Sequence, residues 1–190
     1  LGTYAAGSGP GRLTTSETRK MTGKDAEIAA LAGEAVLGDV RVNADGTLDF
    51  MLLEGLRKTF AFGKWTARQF AEFLDRHEAY FPESFSRPSF LDNHDIARMM
   101  YRVKGDANRV KLALTLLLTT RGIPQILYGT EIGMMGGRDH GALRADFPGG
   151  FPGDTRSAFA EAGRTEQEND IFNFLKQLLA LRRDYRALAS

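Results

Sequence analysis

The sequence predicts an α/β fold built on a parallel sheet, and three observations carry that expectation. Short apolar runs alternate with stretches of helical periodicity in the order strand, strand, helix, helix, strand, helix, strand, long loop, helix. Such alternation implies parallel strands joined by right-handed crossovers. Three of the apolar runs stop abruptly at acidic residues, as strands do where they open into the crevice of an α/β protein. Finally, 190 residues with 43% hydrophobic and 26% charged side chains have the composition of a globular domain that is neither disordered nor stapled by disulfides.

Residues 1–26 are rich in Gly, Ser and Thr, lack a hydrophobic period, and read as a disordered lead-in or a junction. Order is expected from Glu27, where Ile28-Ala29-Ala30-Leu31-Ala32 suits a strand buried on both faces and equally fits a piece of helix. Thr47-Leu48-Asp49-Phe50 leads into a helix over Met51–Phe62, because Leu52, Leu53, Leu56 and Phe60 recur at helical spacing. Thr66 and Gln69 form a capping box that opens a second helix carrying Phe70, Phe73 and Leu74. Ser89-Phe90-Leu91 follows a proline and reads as a short buried strand. Asn108–Thr120 is apolar all round and is expected to be a mostly buried helix. Gly122 ends it, and Ile123–Tyr128 reads as a strand with its proline at the tolerated starting end. A Gly-rich loop of about thirty residues follows, long enough to suspect function. A second capping box, Thr165 with Glu168, opens the last helix, whose face is Ile171, Phe174, Leu175, Leu178 and Leu179.

Lys plus Arg number 25 against 24 Asp plus Glu, so a net charge of +1 gives no reason to expect nucleic acid as a partner. The absence of cysteine excludes a thiol nucleophile, a zinc ribbon and a structural disulfide. No apolar run reaches the roughly 18 residues of a membrane span, the longest being broken by Thr119, Thr120 and Arg121. Nothing near Leu1 has the pattern of a signal peptide.

The chemistry concentrates at strand ends. Ser89-Phe90-Leu91 stops at Asp92-Asn93-His94-Asp95, which suits a catalytic crevice and equally suits a turn in which Asp95 caps the next helix. Gly33-Glu34 repeats the arrangement, offering either a general acid or an ordinary solvated glutamate. Glu131 follows the last strand as a third strand-end acid. Paired carboxylates on facing strand ends are what glycoside hydrolysis needs, one to protonate the leaving oxygen and one to attack or to activate water. No Ser-His-Asp order, HExxH, P-loop or strand-to-helix GxGxxG competes.

These residues carry a resemblance. Phe90-Leu91-Asp92-Asn93-His94-Asp95 resembles the strand-seven motif of the α-amylase superfamily, glycoside hydrolase family 13, and Gly122–Met134 resembles its strand-eight segment. Arg144–Asp154, with Ser157-Ala158-Phe159, resembles the neopullulanase and cyclomaltodextrinase-like branch. The resemblance implies that residues 27–190 are the C-terminal half, strands five to eight with their helices, of a (β/α)8 barrel, whose complete form takes about 250 residues. It implies that Asp95 stabilises the transition state, that His94 and Asn93 bind sugar hydroxyls, and that Glu34 is the general acid; Arg144 and Asp139 would either line the cleft or hold the long loop together by an ion pair, the cleft role being favoured for Arg144 and the ion pair for Asp139. The implied partner is an α-glucan or maltooligosaccharide. No cofactor is expected, and no oxygen-ligand cluster of the kind calcium takes has recognisable spacing.

Two departures qualify the match. Val36 stands where the family commonly has an aromatic after its glutamate, and Phe151 where the branch usually has Trp. The family's nucleophile, an aspartate in a Gly-Phe-Arg-x-Asp string upstream of the general acid, is absent, and Leu143-Arg144-Ala145-Asp146 lies too late in the chain to replace it. The expectation is a piece of a longer retaining glycosidase, inactive alone. The competing readings are a non-catalytic glucan-binding remnant or assembly partner, and an unrelated α/β domain whose acids are helix caps.

Overall fold

The computed structural model describes residues 46–81, 85–137 and 139–189; the lead-in, the apolar run at Ile28–Ala32 and Glu34 lie outside them. Three extended segments run parallel. Strand β1 (Pro88–Phe90) pairs with β2 (Ile123–Gln125) in the register Pro88↔Ile123, Ser89↔Pro124, Phe90↔Gln125. On the other side of β1, Gly46 bridges Ser86 in parallel, and the N–H groups of Thr47 and Asp49 donate to the carbonyls of Ser86 (3.0 Å) and Pro88 (2.9 Å). The parallel arrangement read from the sequence is therefore present. Pro88 sits first in its strand, where its missing donor costs least.

Each strand hands over to helices by a local cap. Asp49 ends the first segment and caps α1 (Phe50–Leu56) by accepting from Leu52 N–H at 2.8 Å. The chain then widens into a π-helical turn at Arg57–Ala61, so the expected helix over Met51–Phe62 is present with a change of pitch. The Thr66–Gln69 capping box opens α2 (Ala67–Tyr80) as expected. A Cβ on Gly55 would come within 2.6 Å of the Phe73 ring, so α1 and α2 approach as closely as glycine allows. After β1 come the short α3 (Met99–Arg102) and α4 (Ala107–Thr119), the latter capped by Asp106. The second capping box, Thr165 with Glu168, opens α6 (Glu166–Asp184), which packs along α4 and ends in the short α7 (Arg186–Ala189).

The core lies between these helices and the sheet: Leu52, Leu56, Leu91, Met99, Leu114, Leu117 and Ile171 are each almost fully buried. Three expectations need correction. Helix α4 is not buried all round, since Leu112 stays 54% exposed while Val110, Ala113, Leu114, Leu117 and Leu118 face inward. On α6, Leu179 is likewise outside the buried stripe of Ile171, Leu175 and Leu178. The final strand is shorter than Ile123–Tyr128, stopping at Gln125. The long loop after it is partly ordered, with 3-10 turns at Thr130–Ile132 and Glu161–Gly163 and a short α5 (His140–Leu143).

Buried polar groups fasten these layers. The Arg182 guanidinium, on α6, donates to the carbonyls of Leu118 (2.8 Å), Thr120 (3.2 Å) and Gly122 (2.6 Å), satisfying the free end of α4 just before β2. His77, on α2, is wedged between Asp49 Oδ1 (2.9 Å) and Arg87 Nη1 (3.2 Å), and Arg87 in turn forms a two-pronged pair with Glu78. A guanidinium can only donate, so in this pairing Nδ1 of His77 accepts and Nε2–H donates to Asp49. No described helix is long and apolar enough to cross a membrane.

Candidate active site

The strand-end turn after β1 treats its two acids in opposite ways. Asp92 is turned inward and is 4% exposed. Its Oδ1 accepts from Thr130 Oγ1 at 2.8 Å and its Oδ2 from the Met99 N–H at 2.9 Å, so Asp92, and not Asp95, caps the helix that follows. Desolvation pushes its carboxyl above the ordinary aspartate value, opposed by those two hydrogen bonds and by the charges of Arg98 and Arg57. Asn93 then turns the chain: its Oδ1 accepts the Asp95 N–H at 2.8 Å, an Asx turn that lifts the next two side chains into solvent.

Asp95 is therefore exposed, but not free. Its Oδ1 accepts from Arg144 Nη2 at 3.0 Å and its Oδ2 lies 3.2 Å from His94 Nε2. Arg144 comes from 49 residues further along and ends α5; its other terminal nitrogen donates to Nδ1 of His140 at 3.1 Å. Asp139 caps α5 by accepting from Ala142 N–H at 2.8 Å, a local hydrogen bond and not the ion pair expected of it. The structure thus brings Asn93, His94, Asp95 and Arg144 together, while Glu34 lies outside the described residues.

Sequence reasoning missed the layer beneath. Arg98, 1% exposed, donates to the carbonyls of Tyr128 and Leu143, lies 5.0 Å over the Tyr128 ring, and ties the β1 turn to the turn after β2 and to α5. Arg57 reaches the same place from the π-helical turn, donating to Ala97 O at 2.9 Å. Glu131, the third strand-end acid, is half-buried there; burial raises its carboxyl against the pull of nearby backbone N–H groups and of Arg98, and its Oε2 is enclosed without a hydrogen-bond partner. The signal available in the sequence was the arginine set among apolar neighbours in Ala97-Arg98-Met99-Met100. Among the described residues no three histidine or acidic side chains converge as a cation site.

An exposed carboxylate at the C-terminal end of a parallel strand, steadied by an arginine and a histidine above a buried polar layer, can stabilise developing positive charge or hold hydroxyl groups. Residues 40–157 match the family described as Alpha amylase, catalytic domain. The chain is 30% identical over 152 residues to Alpha-amylase 2 of Dictyoglomus thermophilum, covering 76% of this chain and 25% of that protein. It is 31% identical over 146 residues to a cyclomaltodextrinase of Geobacillus thermopakistaniensis, covering 76% and 22%. Among solved structures, an α-amylase from Geobacillus thermoleovorans complexed with acarbose superposes with a TM-score of 0.59 at 29% identity, over 77% of this chain and 30% of that one. The matched region thus spans about a quarter of the length of these curated relatives, and the α/β barrel is the architecture it shares with them. With the family match spanning more than half of its residues, the chain belongs to the α-amylase catalytic-domain family of glycoside hydrolases.

Proposed function

We propose that the chain is part of a retaining hydrolase or transglycosylase acting on α-glucosidic bonds of starch-like or cyclic maltodextrins, and that residues 27–190 supply strands five to eight of its barrel. The observation that carries this reading is the Asp95 carboxylate, presented at the end of β1 between His94 and Arg144. In this reading the aspartate from the Gly-Phe-Arg-x-Asp string, which these 190 residues lack, attacks the anomeric carbon. Glu34 protonates the leaving oxygen and, in the second half-reaction, takes a proton from water. Asp95 stabilises the oxocarbenium-like charge, and its bond to Arg144 keeps it aimed. His94, Asn93 through its amide nitrogen, and Arg144 bind the sugar hydroxyls.

The 190 residues alone then release no reducing sugar from maltodextrins, because an acid without its nucleophile cannot form the covalent intermediate. Reducing sugar above buffer, abolished by Glu34→Gln, would refute the assigned division of roles. The product of the whole reading frame that contains this chain is expected to hydrolyse cyclomaltodextrin and to lose that activity in Asp95→Asn and Glu34→Gln. Turnover that survives both substitutions overturns the proposal.

A further inference from the structure

Arg144 reaches Asp95 across 49 residues of chain, yet the two side chains are 46% and 59% exposed. An ion pair in water holds its geometry weakly, because two mobile side chains must be ordered for a modest Coulomb gain. The guanidinium has a second anchor. Its other terminal nitrogen, Nη1, donates to His140 Nδ1 at 3.1 Å. A guanidinium offers only donors, so in this pairing the imidazole nitrogen accepts. Arg144 is therefore held as a fork, with the Asp95 carboxylate on Nη2 and a ring nitrogen on Nη1. At the far side of the fork Asp95 Oδ2 lies 3.2 Å from His94 Nε2, so each carboxylate oxygen has its own neighbour.

His140 can anchor Arg144 because of how α5 is built. The Arg144 N–H donates to the His140 carbonyl at 3.2 Å, which closes one helical turn and sets side chains 140 and 144 on the same face. That turn is clamped along its length. Asp139 accepts from Ala142 N–H at 2.8 Å at its start, Arg98 Nη2 donates to Leu143 O at 3.2 Å from the buried layer, and the Tyr128 hydroxyl donates to Ala145 O at 3.0 Å just beyond it. The backbone bearing His140 is thus fixed to the turn after β1, while the residue itself is exposed and takes no part in the described core. Among the described residues no hydrogen bond or ion pair joins His140 to Asp95 directly, so any influence of the ring on the carboxylate passes through Arg144.

We propose that His140 is a positioning residue for the glycosidic reaction: by accepting from Arg144 it fixes the guanidinium that aims Asp95 at the substrate. This rests on the reading of Asp95 as the carboxylate that stabilises the transition state. The imidazole touches no substrate in this role; it supplies the fixed acceptor without which the exposed pair is free to swing.

The test is hydrolysis of cyclomaltodextrin by the product of the whole reading frame that contains this chain, with kcat and KM read separately. His140→Leu removes the acceptor and is expected to lower kcat about fivefold, the cost of a misdirected group, with KM changed less. His140→Asn offers an amide oxygen in place of Nδ1 and is expected to keep kcat within about twofold of wild type. In an Arg144→Ala background, His140→Leu is expected to have no further effect, since the group it steers is gone. Because both side chains are exposed, the melting temperatures of all these variants should match wild type. Wild-type kcat in His140→Leu, a loss that His140→Asn fails to restore, or a loss that repeats in full in the Arg144→Ala background overturns the positioning role while leaving the α-glucan reading in place. Absence of turnover by the wild-type product overturns the two together.

Discussion

Asp92 gives the sharpest physical test, because its buried carboxyl is raised and so makes stability fall with pH where most native carboxylates do the opposite. Between the ordinary aspartate value of 3.8 and the raised native one, the unfolded chain has released the proton and the folded chain has kept it. Unfolding then releases a proton, and stability declines by about 1.4 kcal/mol per pH unit across that window. It is fully present below 3.8 and lost as pH climbs through the native value. Asp92→Asn removes this slope. At low pH the amide resembles the protonated acid, its oxygen accepting from Met99 and its nitrogen donating to a reoriented Thr130 hydroxyl, so the variant should match wild type within about 1 kcal/mol. As pH rises, the variant should become the more stable of the two. Asp92→Ala, by contrast, orphans the Met99 N–H and the Thr130 hydroxyl and should cost about 2–4 kcal/mol at every pH. Urea unfolding followed by circular dichroism from pH 3.5 to 8 reads all three. A difference between wild type and Asp92→Asn that stays constant with pH would refute the argument.

Four further expectations follow from the same contacts. Leu114→Ala, at a fully buried position between α4 and its neighbours, should lower unfolding free energy by about 2–5 kcal/mol in the same assay. Arg182→Ala leaves three carbonyls at the end of α4 without their donor, and a loss of about 2–4 kcal/mol with faster amide exchange at residues 118–123 is expected. Arg156 holds the Glu168 carboxyl below its ordinary range mainly by hydrogen bonding, which stabilises the fold above pH 4.5 and is lost as pH falls; Arg156→Ala should flatten the drop in Tm on acidification. Arg144→Ala breaks solvent-exposed contacts to Asp95 and His140 and should change stability by less than about 1 kcal/mol, yet weaken maltooligosaccharide binding several-fold by calorimetry.

Features that depend on neighbours in sequence were legible before the structure. The Thr66 and Thr165 capping boxes open α2 and α6 where expected, because the cap needs only its own first turn. The parallel pairing of β1 with β2 also followed from element order. What could not be read was which of two acids three residues apart faces the core. Ser89, Phe90, Leu91 and Asp92 are all buried, so the usual alternation along a strand is erased, and the inward turn of Asp92 is fixed by Thr130, 38 residues away. Leu112 escaped for a related reason: an all-round apolar helix looks buried, while its outer face depends on what else the fold brings over it. Arg98 was invisible as a site element because its two carbonyl partners, Tyr128 and Leu143, belong to separate turns.

The burial of Asp92 and the exposure of Asp95 are one arrangement rather than two. A carboxylate intended to face developing charge must be ionised and in contact with solvent or ligand, so it cannot also satisfy the backbone of the helix that follows. By giving the cap to Asp92, the turn leaves Asp95 free to take partners from outside its own segment, and it takes Arg144 from the loop beyond β2. That loop is itself fastened to the same turn from below, through Arg98 to the Leu143 carbonyl and through the Tyr128 hydroxyl to Ala145. The position of Asp95 is therefore set by contacts on both its buried and its exposed side, and an arginine at 98 rather than an apolar residue is what lets the buried side reach three segments at once. Replacing Arg98 with methionine would keep much of its volume but leave the Tyr128 and Leu143 carbonyls unpaired, so the loop bearing Arg144 should loosen before the core does. Amide exchange accelerated at residues 140–145 ahead of residues 110–118 is the expected signature, and uniform acceleration across both would mean that Arg98 serves the core and not the site.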